Sequence, residues 1–122
     1  TTLFRSQKLY GPDGARLEDA GYAAGLEQAE RIGPYRVGAE AFYYREGLRR
    51  ICLPYAEFDQ VFKRAMLCSA RHCGGVDHFD TFWLVFCRGG EELAQAKTID
   101  EKHADAALSR LSELLPGLKT GL

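Results

Sequence analysis

Two thiols and two imidazoles fall close together in the middle of the chain: Cys68, His72, Cys73 and His78. Thiolate sulfur and imidazole nitrogen are the donors that Zn²⁺ takes in a tetrahedral shell. The order C-x3-H-C-x4-H matches neither finger nor ribbon spacing, and on an extended chain His72 and Cys73 point to opposite sides. Gly74-Gly75 would relieve that by letting a loop fold back. The cluster defines a metal-binding expectation, with zinc as the ion and these four side chains as its ligands. A redox variant joins Cys68 to Cys73, with Arg71 and His72 lowering the pKa of a nearby thiol. The plainer alternative is a polar loop with incidental Cys and His.

Asp77, His78 and Asp80 form a second constellation. A carboxylate beside an imidazole orients it and raises its basicity, as general-base chemistry requires. With Cys73 nearby, a Cys–His nucleophilic pair is conceivable. Such residues in a polar loop are far more often solvated, and no coherent catalytic set emerges, so the expectation is a noncatalytic protein. Arg45, Arg49 and Arg50 make a modest basic patch, which Lys63-Arg64 and Arg71 would extend. Arginines attract a phosphate group or an acidic peptide through charge-assisted hydrogen bonds. On a strand, Arg49 and Arg50 face opposite ways, so only one shares a face with Arg45. The alternative is a charged edge that discourages edge-to-edge aggregation. Tyr43 and Tyr44 are adjacent, so one of them is expected outside, and Tyr43 joins the three arginines as a candidate ligand contact.

The setting for these groups is a chain of 122 residues, the size of one domain. Apolar residues make up 46% and charged residues 27%, and the formal net charge is -1. That composition excludes disorder, a collagen-like repeat and an obligate disulfide scaffold. A near-neutral chain has no bulk attraction to nucleic acid or to an anionic membrane, so no nucleic-acid partner is expected. No apolar run approaches the ~20 residues needed to cross a bilayer. Polar and basic residues interrupt the first ten positions, unlike the apolar centre of a signal peptide. A cytoplasmic protein with reduced thiols is therefore expected, with Cys52 and Cys87, set in apolar runs, as small core residues.

The elements follow from punctuation and periodicity. Gly11-Pro12-Asp13-Gly14 is a turn signal closing a loose lead-in. Tyr22, Leu26, Ala29 and Ile32 recur at helical spacing and predict a helix from about Ala15 to Ile32, with Asp13 as N-cap, Arg31 near its C-terminal end and Gly33-Pro34 as its stop. Residues 34–98 read as an antiparallel sheet, with pieces at Tyr35–Val37, Ala41–Arg45, Leu48–Leu53, Met66–Arg71, Phe79–Arg88 and Glu91–Thr98. Glu57–Arg64 is ambiguous between strand and helical turn, and 72–78 reads as a loop. Phe79–Arg88 is apolar on both faces, which predicts a central strand, and Gly89-Gly90 predicts a type I′ hairpin. Ala104, Leu108, Leu111 and Leu115 stripe a final helix over 99–118, with Thr98 and Glu101 at capping-box spacing.

In order and texture the chain resembles a small bacterial pleckstrin-homology-like domain. The carrying pieces are Tyr35-Arg36-Val37-Gly38 with Phe42-Tyr43-Tyr44, Ile51-Cys52-Leu53-Pro54-Tyr55, Phe82-Trp83-Leu84-Val85-Phe86, Arg88-Gly89-Gly90-Glu91 and the Ala104–Leu115 helix. The resemblance implies an α+β fold: a strongly bent antiparallel sheet of about six to seven strands, closed as a barrel and capped by the C-terminal helix. The helix before the sheet departs from that pattern, as does the absence of the spaced Lys/Arg signature of phosphoinositide-binding members. The leading functional expectation is a noncatalytic binding or interaction module for a protein or small anionic ligand. A metal or thiol-redox protein is the alternative, and a structural domain forming homo-oligomers through a sheet edge is the third.

Overall fold

The computed structural model describes residues 8–72 and 74–121, and the side chains at 67–72 and 76–79 lie outside the described set. The chain is α+β, with two helices and two mixed sheets among the described residues. The first sheet contains β1 (Leu9–Tyr10), β2 (Arg16–Leu17), β3 (Glu30–Ile32), β4 (Tyr35–Val37), β5 (Ala41–Glu46) and β6 (Arg49–Pro54), in the order β2-β1-β6-β5-β4-β3. The second contains β7 (Gln60–His72), β8 (Gly75–Arg88), β9 (Glu91–Thr98) and β10 (Lys119–Thr120), in the order β10-β7-β8-β9. Helix α1 spans Ala20–Gln28 and α2 spans Glu101–Leu114.

The expected single barrel is thus replaced by two open sheets. Pro54, which has no N–H to give, ends β6, and a 3-10 turn at Tyr55–Glu57 breaks the ladder before β7. The strand edges freed there are taken by the chain ends: β1 lies parallel to β6, and β10 lies parallel to β7. These two parallel pairings make the sheets mixed. Segments of two residues carry no periodicity, which is why they are absent from a sequence reading.

The predicted first helix is shortened from both ends. Arg16 and Leu17 pair with β1 around the Gly11–Gly14 turn, where Asp13 accepts from the Ala15 N–H at 3.0 Å. Asp19, not Asp13, caps the helix, accepting from the Gly21 N–H at 2.7 Å. After Gln28 the backbone becomes extended at Ala29, and Glu30–Ile32 pairs with β4, so Arg31 and Ile32 belong to a strand. Helix α2, expected over 99–118, begins slightly later and ends earlier, at Leu114 with Leu115 as its C-cap. Its N-cap is Asp100, which accepts from the Lys102 N–H at 3.0 Å, while Thr98 Oγ1 accepts from Asp100 N–H at 3.2 Å.

Two turns follow the sequence closely. Gly89 and Gly90 both have positive φ, 60° and 87°, as a type I′ loop between Arg88 and Glu91 requires. Gly47 (φ 65°) and Leu48 join Glu46 to Arg49. The expected 72–78 loop is instead strand on both sides of a tight turn, with His72 paired to Gly75 and Ser69 paired to His78.

The core lies between the sheets. Tyr35, Phe42, Tyr44, Ile51 and Leu53 of the first pack with Val61, Leu84, Phe86 and Ala96 of the second, and with Ala104, Ala107 and Leu111 of α2. The Phe42 and Phe86 rings are 5.0 Å apart, and Phe58 meets Phe86 edge-on at 4.9 Å. Tyr35 Oη donates to the Ala96 carbonyl at 2.9 Å and ties the sheets together. Helix α2 packs on strands of both. Helix α1 covers the other face of the first sheet, where Leu26 packs with Leu9, Ala41, Tyr43 and Cys52. Among the described residues no helix is long and apolar enough to cross a membrane.

Candidate functional site

Strand pairing assembles the site on the face of the first sheet that α1 only partly covers. Arg45 on β5 is the direct partner of Arg50 on β6. Arg36 on β4 is opposite Tyr43, two residues from Arg45 on the same face, and Arg31 on β3 is opposite Arg36. Because side chains alternate along strands, all four arginines share one face. Like charges directly opposite across a ladder are unfavourable, and this face holds two such pairs, Arg31–Arg36 and Arg45–Arg50.

Among the described residues, no carboxylate forms a salt bridge with any of these four. Arg31 and Arg45 are exposed, and Arg36 is half-buried. Arg50 is only 8% exposed, and its Nε has no hydrogen-bond partner. Burial, then the charges of Arg45, Arg36 and Arg31, pull its pKa down to about 10. Thr81 Oγ1 is the other buried side-chain atom without a partner among the described residues, and it is uncharged.

At the tip of the β5–β6 hairpin, Lys8, Tyr10, Arg45, Leu48, Arg49 and Arg50 line a hollow of about 420 Å³. The Arg49 guanidinium sits 4.7 Å above the Tyr10 ring, and Leu48 is 97% exposed. A larger cleft of about 590 Å³ runs between the end of β5 and β8–β9. Its lining mixes Arg45 and Lys97 with Glu46 and Glu92, so it favours neither sign of charge.

The predicted site residues separate accordingly. Arg45 and Arg50 come together, as strand alternation allows, while Arg49 turns to Tyr10. Tyr43 is corrected: it is 1% exposed and its Oη donates to the Tyr22 carbonyl at 2.7 Å. Tyr44 is 2% exposed as well. The two do face opposite ways, but α1 covers one face and the second sheet the other, so neither is outside. Lys63 is bound to Glu101 and Asp105, and Arg64 to Glu92, so neither extends the patch. Cys52 and Cys87 are buried free thiols, as expected, and burial pushes the Cys52 thiol up to about 12. Cys73 lies outside the described residues, as do the side chains of Cys68, Arg71, His72, Asp77 and His78, so the zinc, redox and Cys–His expectations fall there. Sequence reasoning missed Arg31 and Arg36. Helical spacing assigns Arg31 to a helix, whereas the structure pairs it with Arg36 across the two-residue Gly33-Pro34 turn, a relation readable in the Arg31-x4-Arg36 spacing. No protein-family model matches the chain, and no curated protein or solved structure matches it.

Proposed function

We propose that this chain is a noncatalytic binding module that takes an anionic group, phosphate-like in charge, at the hairpin hollow formed by Lys8, Arg45, Arg49 and Arg50. The carrying observation is Arg50: a residue only 8% exposed, with a buried, unsatisfied Nε, directly across the ladder from Arg45 and, among the described residues, in no salt bridge with a carboxylate. An anion there would supply both the missing charge and the missing acceptor. Guanidinium suits this task because its fixed fork of donors matches phosphate and carboxylate oxygens. The order of β3–β6, then β7–β9, then α2 supports a pleckstrin-homology-like scaffold for the module.

The test is calorimetric titration with inorganic phosphate at low salt. The native chain should bind, and Arg45→Ala and Arg50→Met should each weaken binding about tenfold or more, the scale of a lost charge-assisted hydrogen bond. Arg64→Ala, whose partner is Glu92, should leave it unchanged. No binding by the native chain, or equal affinity in all variants, would overturn the proposal.

A further inference from the structure

Resting on that reading, we infer that the ligand carries at least two phosphate groups and extends from the hairpin hollow along the row Arg50, Arg45, Arg36 and Arg31. The row crosses four adjacent strands, β6, β5, β4 and β3. At the usual strand spacing its backbone positions span about 14 Å across the strands, with a further step of about 7 Å along them between Arg45 and Arg36. Arg36 is offset from Arg45 by one same-face step, so the two like-charged pairs are neighbours on one surface. Each pair is unfavourable without a counter-charge, and among the described residues no carboxylate reaches either.

Charge sets the minimum size of the ligand. One phosphate monoester brings roughly −1.5 to −2 at neutral pH. That matches one arginine pair and leaves the second bare. The two carboxylates adjacent in sequence to Arg31 and Arg45 do not help. Glu30, next to Arg31 in sequence, alternates to the opposite face and binds Arg110 of α2 at 2.7 Å. Glu46 is the cross-strand partner of Arg49, not of Arg45 or Arg50. Exposed Arg31 and half-buried Arg36 leave the far end of the row open to solvent, while buried Arg50 forms its anchored end.

Tripolyphosphate and orthophosphate, titrated in parallel, test this. The native chain should bind tripolyphosphate about tenfold or more tightly than orthophosphate. The double variant Arg31→Ala/Arg36→Ala should lose that advantage yet bind orthophosphate within about twofold of native, because the hollow is intact. A second arm uses phosphatidylcholine vesicles containing cardiolipin, a lipid with two phosphates. Dependence on Arg31 and Arg36 seen only with vesicles would support the inference and assign the lipid as the source. Orthophosphate binding that needs Arg45 and Arg50, with tripolyphosphate and vesicle binding indifferent to Arg31 and Arg36, would overturn the inference alone. Failure of the native chain to bind any of the three would overturn both this and the hollow itself. Matching far-UV circular dichroism of the double variant guards against misfolding.

Discussion

Replacing Arg50 by methionine should make the unliganded protein more stable. In the native chain Arg50 is 8% exposed, and its Nε is buried and, among the described residues, unpartnered. A buried donor left unsatisfied costs about 1–3 kcal/mol. Arg45, directly across the ladder, adds repulsion of about 0.2–1 kcal/mol. The lowered pKa of Arg50 has the same sign, because its cation is less favourable in the folded than in the unfolded chain. Methionine keeps an unbranched stem of similar course and carries no charge. After some loss of packing, the expected gain is about 1–3 kcal/mol. For a domain of this length that is roughly 4 °C per kcal/mol, or a rise in Tm of about 4–12 °C. The assay is differential scanning calorimetry at neutral pH in dilute Tris-chloride without multivalent anions. Adding phosphate should then raise the Tm of the native chain by clearly more than that of Arg50→Met, since a ligand at a hundred times its Kd stabilises by about 2.7 kcal/mol and a tenfold weaker one at the same concentration by about 1.4 kcal/mol. A lower Tm for Arg50→Met in the phosphate-free buffer would refute the reasoning, because the guanidinium would then be a net stabilising group.

Tyr35→Phe removes the hydroxyl that donates to the Ala96 carbonyl between the sheets; urea unfolding should give a lower midpoint, a loss of about 1–2 kcal/mol and an unchanged m value. Alkaline pH should unfold the protein cooperatively. Burial raises the pKa of Cys52 from 9.0 to about 12 and raises those of Tyr35, Tyr43, Tyr44 and Tyr55 above their ordinary 10.0. The unfolded chain therefore loses these protons first, so stability is full below about pH 9 and falls as pH rises through 9 and 10. Each titrating group contributes up to about 1.4 kcal/mol per pH unit. Arg50, lowered to about 10, acts oppositely above that pH, one group against five. Most of the tyrosinate absorbance change should coincide with the loss of circular dichroism, and ionisation of more than two of the six phenols well before loss of structure would contradict this account.

Features that depend on neighbours in sequence were legible. The Gly89-Gly90 turn, the buried β8 strand and the leucine stripe of α2 each rest on local pattern, and all are present. The α1 boundaries were misread because the 3.6-residue spacing of Tyr22, Leu26, Ala29 and Ile32 ran across two elements. Tyr22, Leu26 and Ala29 belong to the cluster under α1, whereas Ile32 packs with the core between the sheets. The edge pairings of β1 and β10 left no local trace, since hydrogen bonding to a distant strand selects two-residue segments. Of the candidate site, Arg45 and Arg50 could be joined through their hairpin, while Tyr43 was misjudged because its cover, α1, comes from elsewhere in the chain.

The amino-acid sequence by itself determined an α+β chain with paired strands, a tight glycine hairpin and a leucine-striped final helix, because these arise from periodicity and backbone freedom over a few residues. It also determined that only one of Arg49 and Arg50 shares a face with Arg45, through strand alternation; the register of the hairpin made it Arg50. Only the tertiary structure decided that Arg31 and Arg36 lie beside them, that α1 seals Tyr43 away, and that Arg50 is buried with its Nε unpartnered among the described residues. Those outcomes depend on which strands become neighbours and what covers each face. Burial and charge in this protein are set by residues far apart in sequence, and the cost of the arginine row exists only once they are brought together.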